Sequence, residues 1–409
     1  MNPLIRSSFC PRRTAVLFAT LFVTVVSAHA QTLTLLHTFN SLPDGLTPIG
    51  GVIQDQAGNL YGTTARGGTG TQGTVFKIDT SGHETVLHSF VMRPGGLDPE
   101  AGLTIDSSGN LYGTTELGGT QGKGTIFKID PSGNHTVLHS FLCCPPLGKN
   151  PVASLILDGA GNLYGTALNG GDQAENGTVF KLSPDGTLTV LHEFNGRNQV
   201  LSVNPPGFVN DGINPRGPLF LDGSGNLWGT TYQGGSNNKG TVFTISPNGL
   251  YLVFYNFGSS GGNDDGQWPT AGVILDPSRF IVGTCSKGGT HNGGTVFQTD
   301  GTSETVLHNF GGPNDGKWPL GGLALDANGN LYGTTSSGGV DQLPGTVFKI
   351  DNAGNYSVLH SFNGSSDGAA PTAGVLIGAD GNLYGTCSEG GPGNGFFGMG
   401  GTVFRLSLP

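Results

Sequence analysis

Charged side chains are scarce in this sequence, and most of those present are acidic. Only 11% of the 409 residues are Asp, Glu, Lys or Arg, with 28 acidic residues against 18 basic ones. Removal of a predicted leader that carries three arginines and no acidic residue leaves 15 basic residues and a net charge of −13. This balance disfavours nucleic acid and anionic membrane surfaces as partners. We therefore expect neither of them.

Cysteine is also rare, and the five cysteines do not form a disulfide framework. Cys143 and Cys144 are adjacent, whereas Cys285 and Cys387 occupy the same repeat position two units apart. Equivalent positions two units apart should exceed the distance of roughly 7 Å between α-carbons that a disulfide allows. A strained bridge between the adjacent pair stays open. No Cys/His spacing resembles a zinc site.

Motifs of nucleophilic catalysis and of phosphate binding are missing in the setting that they need. No Gly-x-Ser-x-Gly stands between a strand and a helix, as a nucleophile elbow requires. Glycine pairs such as Gly67-Gly68 are followed by neither Lys-Ser nor a helix, so they are not phosphate loops. These absences favour a protein that is not an enzyme.

A single long apolar run occurs, and it lies near the start of the chain. Arg12 and Arg13 precede the run at residues 14–26, and a small-x-small cleavage pattern follows at residues 28–30. This order predicts a signal peptide over residues 1–30, cleaved near Ala30. Because no second run of spanning length follows, we expect no transmembrane segment in the mature chain. We expect a periplasmic or extracellular protein, and the export route stays open.

Glycine is abundant, with 74 residues, and it recurs in a fixed motif. Gly-Asn-Leu-Tyr-Gly-Thr at residues 58–63 returns in six further copies, one of them decayed at residues 278–285. Successive copies are 50 to 64 residues apart. The second glycine of the motif stands at Gly62, Gly113, Gly165, Gly229, Gly283, Gly333 and Gly385. A fixed period of this size indicates an array of one supersecondary unit.

Each unit contains four short strands, which we name A to D. In the first unit strand A covers residues 51–54 and strand B residues 59–64, with a tight turn between them. Strand C covers residues 73–79, and strand D covers residues 84–90. Alternating β-branched and aromatic residues between Gly, Asp and Pro predict strands. Four antiparallel strands in about 50 residues are typical of a β-propeller blade.

The two ends of the chain predict a closed ring. The sequence finishes in a strand C, and residues 32–39 form a strand D with no unit before it. If this N-terminal strand completes the last blade, it supplies the strand D that the last unit lacks. We therefore predict an all-β, closed seven-bladed β-propeller over residues 31–409. Its blades cover about 49–90, 99–141, 151–194, 215–257, 269–310, 319–362, and 371–408 together with 32–39.

The repeat resembles a known family. Leu-His-x-Phe, Asp-Gly-x-x-Pro, Gly-Asn-Leu-Tyr-Gly-Thr, Gly-Gly and Gly-Thr-Val-Phe-Lys follow one another as in the GloVer tandem-repeat family of exported bacterial proteins. The match covers essentially all of residues 31–409. The resemblance implies a secreted or surface protein and no established activity. Members often carry C-terminal anchors. This chain ends inside its last blade, so we expect a released or periplasmic protein.

Histidine occupies one position of strand D in six units, and tyrosine replaces it in the seventh. Six histidines invite a metal site, but each belongs to the outer strand of a different blade. We therefore interpret them as packing residues with partners inside their own blades. They are His37, His88, His139, His192, His308 and His360, with Tyr255 in the remaining unit.

The D–A loops hold the candidate binding residues. Trp268 and Trp318 stand at the same loop position in consecutive units, and exposed aromatic rings stack on sugars or anchor partners. Asp211, Asp265 and Asp315 stand nearby in these loops, where they either accept ligand hydroxyls or close their own loops.

A calcium site on these loops is a further hypothesis. It rests on Asp264 beside Asp265, because Ca²⁺ is held by carboxylate and carbonyl oxygens. We expect no other cofactor.

Three functions remain open at this point. The leading hypothesis is a monomeric binding or scaffold propeller for a glycan or protein, with its site on the face of the D–A and B–C loops. The second is a propeller enzyme, because Gly225-Asn226-Leu227-Trp228 resembles a repeat motif of streptogramin-type lyases. The third is a purely structural surface protein.

Overall fold

Seven four-stranded antiparallel sheets, together with five two-stranded ones, are present in the described part of the chain in a computed structural model. The structure describes residues 31–91, 94–142, 147–171, 175–196, 198–200, 207–209, 211–258, 265–340, 344–394 and 399–408. The predicted signal peptide, Cys143 and Cys144 lie outside these residues. Cys285 and Cys387 are free and buried. The four-stranded sheets are the predicted blades, so the sequence period and the structural period agree.

Each blade follows the order A, B, C, D within its sheet. Strands A are Ile53–Gln54, Thr104–Ile105, Ile156–Leu157, Phe220–Leu221, Ile274–Leu275, Ala324–Leu325 and Leu376–Ile377. Strands B are Leu60–Thr64, Leu111–Thr115, Leu163–Ala167, Leu227–Thr231, Ile281–Cys285, Leu331–Thr335 and Leu383–Glu389. Strands C are Thr74–Ile78, Thr125–Ile129, Thr178–Leu182, Thr241–Ile245, Thr295–Thr299, Thr346–Ile350 and Met399–Leu406. Strands D are Glu84–Ser89, His135–Ser140, Leu188–Glu193, Tyr251–Asn256, Glu304–Asn309, Tyr356–Ser361 and, for blade 7, Leu33–Thr38.

The polar residues of the repeat motif build the turn between strands A and B. In blade 1, Oδ1 of Asp55 accepts hydrogen bonds from the amides of Ala57 and Asn59, both at 2.9 Å. Its Oδ2 accepts from Nδ2 of Asn59 at 2.7 Å and from the Tyr61 hydroxyl at 3.0 Å. One carboxylate therefore explains why asparagine and tyrosine recur in the motif.

The second glycine of the motif makes room for the core. A Cβ at Gly62 would lie 2.5 Å from the ring of Phe76, which is fully buried. Phe76 in turn packs against Phe39 of the preceding blade, with ring centroids 5.1 Å apart. Similar pairs with centroids 4.9–5.3 Å apart join all neighbouring blades. The core is thus a ring of interfaces between blades.

The N-terminal strand closes the ring. Leu33–Thr38 pairs antiparallel with Met399–Leu406, placing Leu33 opposite Leu406 and Thr38 opposite Thr402. The predicted closed seven-bladed propeller is therefore confirmed. Strand C of blade 7 is therefore paired on both sides and has no exposed edge.

The D–A and B–C loops of each blade pair with each other on one face. Two-residue ladders form in four blades, such as Gly266–Gln267 with Lys287–Gly288, and single bridges form in the other three. The long loop before blade 4 holds the hairpin Asn198–Val200 with Gly207–Val209. Within the described ranges we find no helix with the length and apolarity of a membrane span.

Candidate functional site

A cavity of about 540 Å³ lies on the axis of the ring, and all seven blades line it. Its lining includes the residue that follows the proline before each strand A. These seven residues are Ile49, Glu100, Val152, Arg216, Thr270, Leu320 and Thr372. Five of the seven are uncharged. Glu100 and Arg216 therefore break the symmetry of the wall at the end nearest the D–A loops.

The carboxyl group of Glu100 sits among other acids. Burial raises the pKa of Glu100 to about 7, and the carboxylates of Glu116 and Asp98 add to the rise, while Arg216 and Arg66 oppose it. Burial and Asp98 also raise the pKa of Glu116, which Arg216 opposes. Blade 2 therefore presents a carboxyl group that changes its protonation near neutral pH.

Aromatic and cationic side chains continue from the cavity onto the loops of blades 4 and 5. The Arg216 guanidinium lies 4.6 Å from the centroid of the Tyr232 ring. Tyr232 contacts Trp268 with ring centroids 5.8 Å apart, and the ammonium of Lys239 lies 5.3 Å from the Trp268 ring. These contacts link the cavity wall to one of the predicted tryptophans.

Trp318 repeats this arrangement in the next blade. Its side chain is 42% exposed, and the ammonium of Lys287 lies 4.5 Å from its ring centroid. Trp268 and Trp318 each directly precede the proline that leads into the cavity wall. Each predicted tryptophan therefore stands two residues before a residue of the cavity wall, Thr270 or Leu320. We call this end of the cavity, together with the adjoining D–A loops, the channel mouth.

All seven residues before the strand-A prolines adopt left-handed backbone angles. Their φ values lie between 50° and 60°, at Thr47, Asp98, Asn150, Asn214, Trp268, Trp318 and Ala370. Asn and Asp tolerate this region, whereas bulky residues rarely adopt it. Each amide donates to a carbonyl at or just before strand C of the preceding blade, as Trp318 does to Gly293 at 2.7 Å. Contacts with the preceding blade therefore hold the tryptophans in a strained conformation.

The predicted aspartates of the D–A loops point away from solvent. Asp211 is fully buried, and Asp315 is only 8% exposed. Oδ1 of Asp315 accepts from the Tyr356 hydroxyl at 2.6 Å and from the Gly316 amide at 2.7 Å. Its Oδ2 accepts from the Gly311 amide at 3.1 Å and pairs with Nε2 of His308 at 3.0 Å. These aspartates close their loops, which was the alternative interpretation, and a contact with ligand stays a prediction.

Asp265 holds the same position in blade 5 and is 3% exposed. Asp264, the other half of the calcium hypothesis, lies outside the described residues. The calcium site on this pair therefore stays a prediction.

Each of the six strand-D histidines packs on the phenylalanine two residues later in its own blade, as expected, and some of them also contact the next blade. Nε2 of His192 lies 3.0 Å from Oδ2 of Asp211, in the loop that enters the next blade. Its ring also stacks on Tyr251 of that next blade, with centroids 3.6 Å apart. The sequence showed a repeated position but not which neighbour it faced.

Sequence reasoning missed Glu100 and Arg216. Both follow the proline that fixes the start of strand A, so their register is known without a structure. Comparison of the seven units at this one position would have shown two charged residues among five uncharged ones.

The fold and the channel mouth define a seven-bladed propeller with an asymmetric axial cavity. The family model described as the Gloeobacter/Verrucomicrobia repeat matches residues 20–205 and 199–404. The chain belongs to this repeat family, as the resemblance predicted. Among curated proteins, none matches the chain.

Solved structures with a similar course of the chain are only distantly related. A gluconolactonase from Xanthomonas campestris is 13% identical, with a TM-score of 0.43, over 93% of this chain and 90% of that one. A candidate 6-phosphogluconolactonase from Bacteroides uniformis is 14% identical, with a TM-score of 0.46, over 84% of this chain and 89% of that one. At these values neither protein informs on the activity of this chain.

Proposed function

We propose that this protein is an exported binding propeller that holds a carbohydrate at the channel mouth. One observation carries the proposal: two charged residues that break the sevenfold repeat, Glu100 and Arg216, lie on the wall of the axial cavity. Trp268 and Trp318 stand on D–A loops that lead into the same wall. The cavity volume of about 540 Å³ falls within the range of about 300–1,000 Å³ usual for small-ligand sites.

The chemistry of the mouth suits a polyhydroxylated ligand. The exposed ring of Trp318 offers a flat apolar surface on which a sugar ring stacks. The carboxyl groups of Glu100 and Glu116 accept hydrogen bonds from hydroxyls, and the Arg216 guanidinium donates them. The acidic residues of blade 2 favour a neutral or cationic glycan over an acidic one.

The buried aspartates have a supporting role in this proposal. Asp211 and Asp315 bind the D–A loops of their blades through backbone amides, and Asp265 occupies the same position in blade 5. We assign them to positioning the loops that carry the rim residues, because their oxygens are buried.

A glycan array tests the proposal directly. The purified protein is applied to printed neutral, cationic and acidic oligosaccharides, and hits are measured by calorimetry. We expect binding to neutral or cationic glycans that Trp318→Ala weakens about 2- to 12-fold, since an aromatic stack contributes about 0.5–1.5 kcal/mol. The control is Leu250→Ala, because Leu250 is 51% exposed and lies in a C–D turn on the opposite face. Absence of any hit, or equal binding by both variants, contradicts the proposal.

An enzyme that acts on the same ligand is the second candidate. The observation that favours it is the raised pKa of Glu100, about 7, beside a second carboxyl group, because paired carboxyls with different protonation serve as general acid and base. Incubation of each array hit with wild type and Glu100→Gln, followed by mass spectrometry, separates the two functions. Product formation that depends on Glu100 identifies an enzyme, and unchanged glycans identify a binding protein.

A further inference from the structure

We call the contact region between two neighbouring blades a seam, and at some seams the first residue of strand D contacts the aspartate of the D–A loop that leads into its own blade. At two seams this residue is a tyrosine that donates a hydrogen bond. The Tyr251 hydroxyl lies 2.6 Å from Oδ1 of Asp211, and the Tyr356 hydroxyl lies 2.6 Å from Oδ1 of Asp315. The donors and acceptors at these seams therefore match.

At the seam that closes the ring, an acceptor replaces this donor. Glu84 of blade 1 occupies the position of Tyr251 and Tyr356, pairing with Ile78 as Tyr356 pairs with Ile350. Its Oε1 is inaccessible to solvent and has no donor group among the described residues, apart from a proton that it can share with the carboxyl group of Asp44. Leaving such a buried oxygen without a donor or a cation costs about 1–3 kcal/mol. A proton or a metal cation would satisfy it.

The surrounding side chains form a set of metal ligands. His37, Asp44 and Glu84 each offer one ligand atom, and these atoms all lie within 4.8 Å of one another. Nε2 of His37 lies 3.1 Å from both carboxylate oxygens of Asp44. Ligand atoms bound at about 2.0–2.2 Å in a tetrahedral sphere lie about 3.3–3.6 Å apart. The atoms that lie farthest apart would therefore have to approach one another by up to about 1.5 Å for one ion to contact all three.

We propose that His37, Asp44 and Glu84 bind one divalent transition-metal ion, with Zn²⁺ as the best fit. A mixed set of one imidazole nitrogen and two carboxylate oxygens suits Zn²⁺ or Mn²⁺, whereas Ca²⁺ takes oxygen ligands. The side chains of His37 and Asp44 keep 20% and 16% exposure, so a water molecule can complete the sphere.

The position of these residues indicates what the ion would do. His37 belongs to Leu33–Thr38, the strand that completes blade 7, whereas Glu84 belongs to blade 1. The ion would therefore join the closing strand to the first blade by bonds that no other described seam has. Metal binding to the folded state alone stabilises it by mass action.

The seam between blades 4 and 5 supplies an internal control. There Glu304 occupies the position of Glu84, beside Asp265, but tyrosine replaces the histidine at Tyr255. Oε1 of Glu304 accepts the Gly266 amide at 3.1 Å. This seam lacks an imidazole ligand, so we do not expect it to select the same ion.

The test uses the purified protein without an affinity tag, stripped with a chelator and then titrated separately with Zn²⁺, Mn²⁺ and Ca²⁺. We expect one Zn²⁺ or Mn²⁺ per chain by elemental analysis, a rise in Tm, and weaker binding of Ca²⁺. Glu84→Tyr reproduces the arrangement of the two seams that have Tyr251 and Tyr356, and it should fold as stably as the stripped wild type while losing the ion. Glu84→Gln, which keeps the size of the side chain, should weaken binding at least tenfold.

The matched control is Glu304→Tyr, which makes the same substitution at the other seam and should keep the ion. Retention of a stoichiometric ion by Glu84→Tyr would overturn the proposal. A wild-type protein that takes up none of the three ions would also overturn the proposal. In that case a proton shared by Asp44 and Glu84 would bridge the two carboxyl groups.

Discussion

The hydroxyl of Thr386 in blade 7 donates a 3.0 Å hydrogen bond to the carbonyl oxygen of Gly50 in blade 1. The same bond joins every other pair of neighbouring blades, from Thr63 to Ala101 at 2.8 Å onward around the ring. In this bond the seam between blades 7 and 1 matches the other six. Continuity of the ring should therefore depend on the N-terminal strand as much as on any internal one.

Deletion of residues 31–40 should destabilise the ring and promote aggregation. The deletion exposes the edge of Met399–Leu406, which pairs with the missing strand, and removes the fully buried Phe39. Loss of that ring alone costs about 3–5 kcal/mol. Thermal melting and light scattering check this outcome. A truncated protein that stays monomeric and melts like the parent would refute closure by this strand.

Substitution of the motif glycine should damage the core locally. The Cβ of Gly62→Ala would meet the Phe76 ring at 2.5 Å, so we expect a loss of about 1–3 kcal/mol in the free energy of unfolding. Gly159→Ala is the control, because nothing lies within 4 Å of a Cβ at that turn position. Denaturant titrations should show an unchanged or higher stability for the control. Equal losses in both variants would contradict the packing role of the motif.

Replacement of Trp318 by Asn should separate stability from binding. Trp318 has a φ of 58°, and Asn150 and Asn214 occupy the same position in blades 3 and 4. Relief of the strained backbone offsets the lost contact with Lys287, so stability should stay equal or rise by up to about 1 kcal/mol. Glycan binding should still fall. A stability loss above about 1 kcal/mol would show that the ring has a structural role instead.

The stability contributed by Glu100 should decrease as the pH rises. Its pKa is about 7 in the folded protein against an ordinary value of 4.5, so between these values the unfolded chain binds fewer protons than the folded one. Folding therefore loses free energy as the pH rises from about 4.5 to 7. Because the side chain is partly exposed, solvent screening holds this loss to about 1 kcal/mol.

The measurement is a comparison of wild type and Glu100→Gln by denaturant titration from pH 4 to pH 8. The variant should be the more stable at pH 8, and the difference should shrink towards pH 4. A difference that is independent of pH would mean that Glu100 titrates as an ordinary surface residue.

The fold could be predicted from the sequence because the residues that determine the structure of a blade recur in all seven units. Asp55, Asn59 and Tyr61 act within one turn, and Gly62 acts on a ring of its own blade, so their spacing along the chain reveals their role. Pairing of the first and last strands followed from the two incomplete units.

The site was less accessible because its contacts join different blades. Glu100 and Arg216 lie 116 positions apart and interact only because the ring brings blades 2 and 4 to one cavity. Two of the partners of His192, Asp211 and Tyr251, likewise lie in the next loop and the next blade. Periodicity shows that such positions are equivalent, but it does not show which neighbour each side chain faces.

Tryptophan fluorescence tests the central claim most directly. The chain has three tryptophans, and Trp228 is the one that lies away from the channel mouth. It belongs to strand B of blade 4, and its Nε1 donates a hydrogen bond to the carboxylate of Asp222 at 3.0 Å. Trp228→Tyr should fold normally, because Tyr61 makes the equivalent bond in blade 1. All remaining tryptophan emission then comes from Trp268 and Trp318. Titration of this variant with a glycan from the array should change the emission with the affinity that calorimetry gives. Calorimetric binding without any change in emission would place the ligand elsewhere and contradict the account.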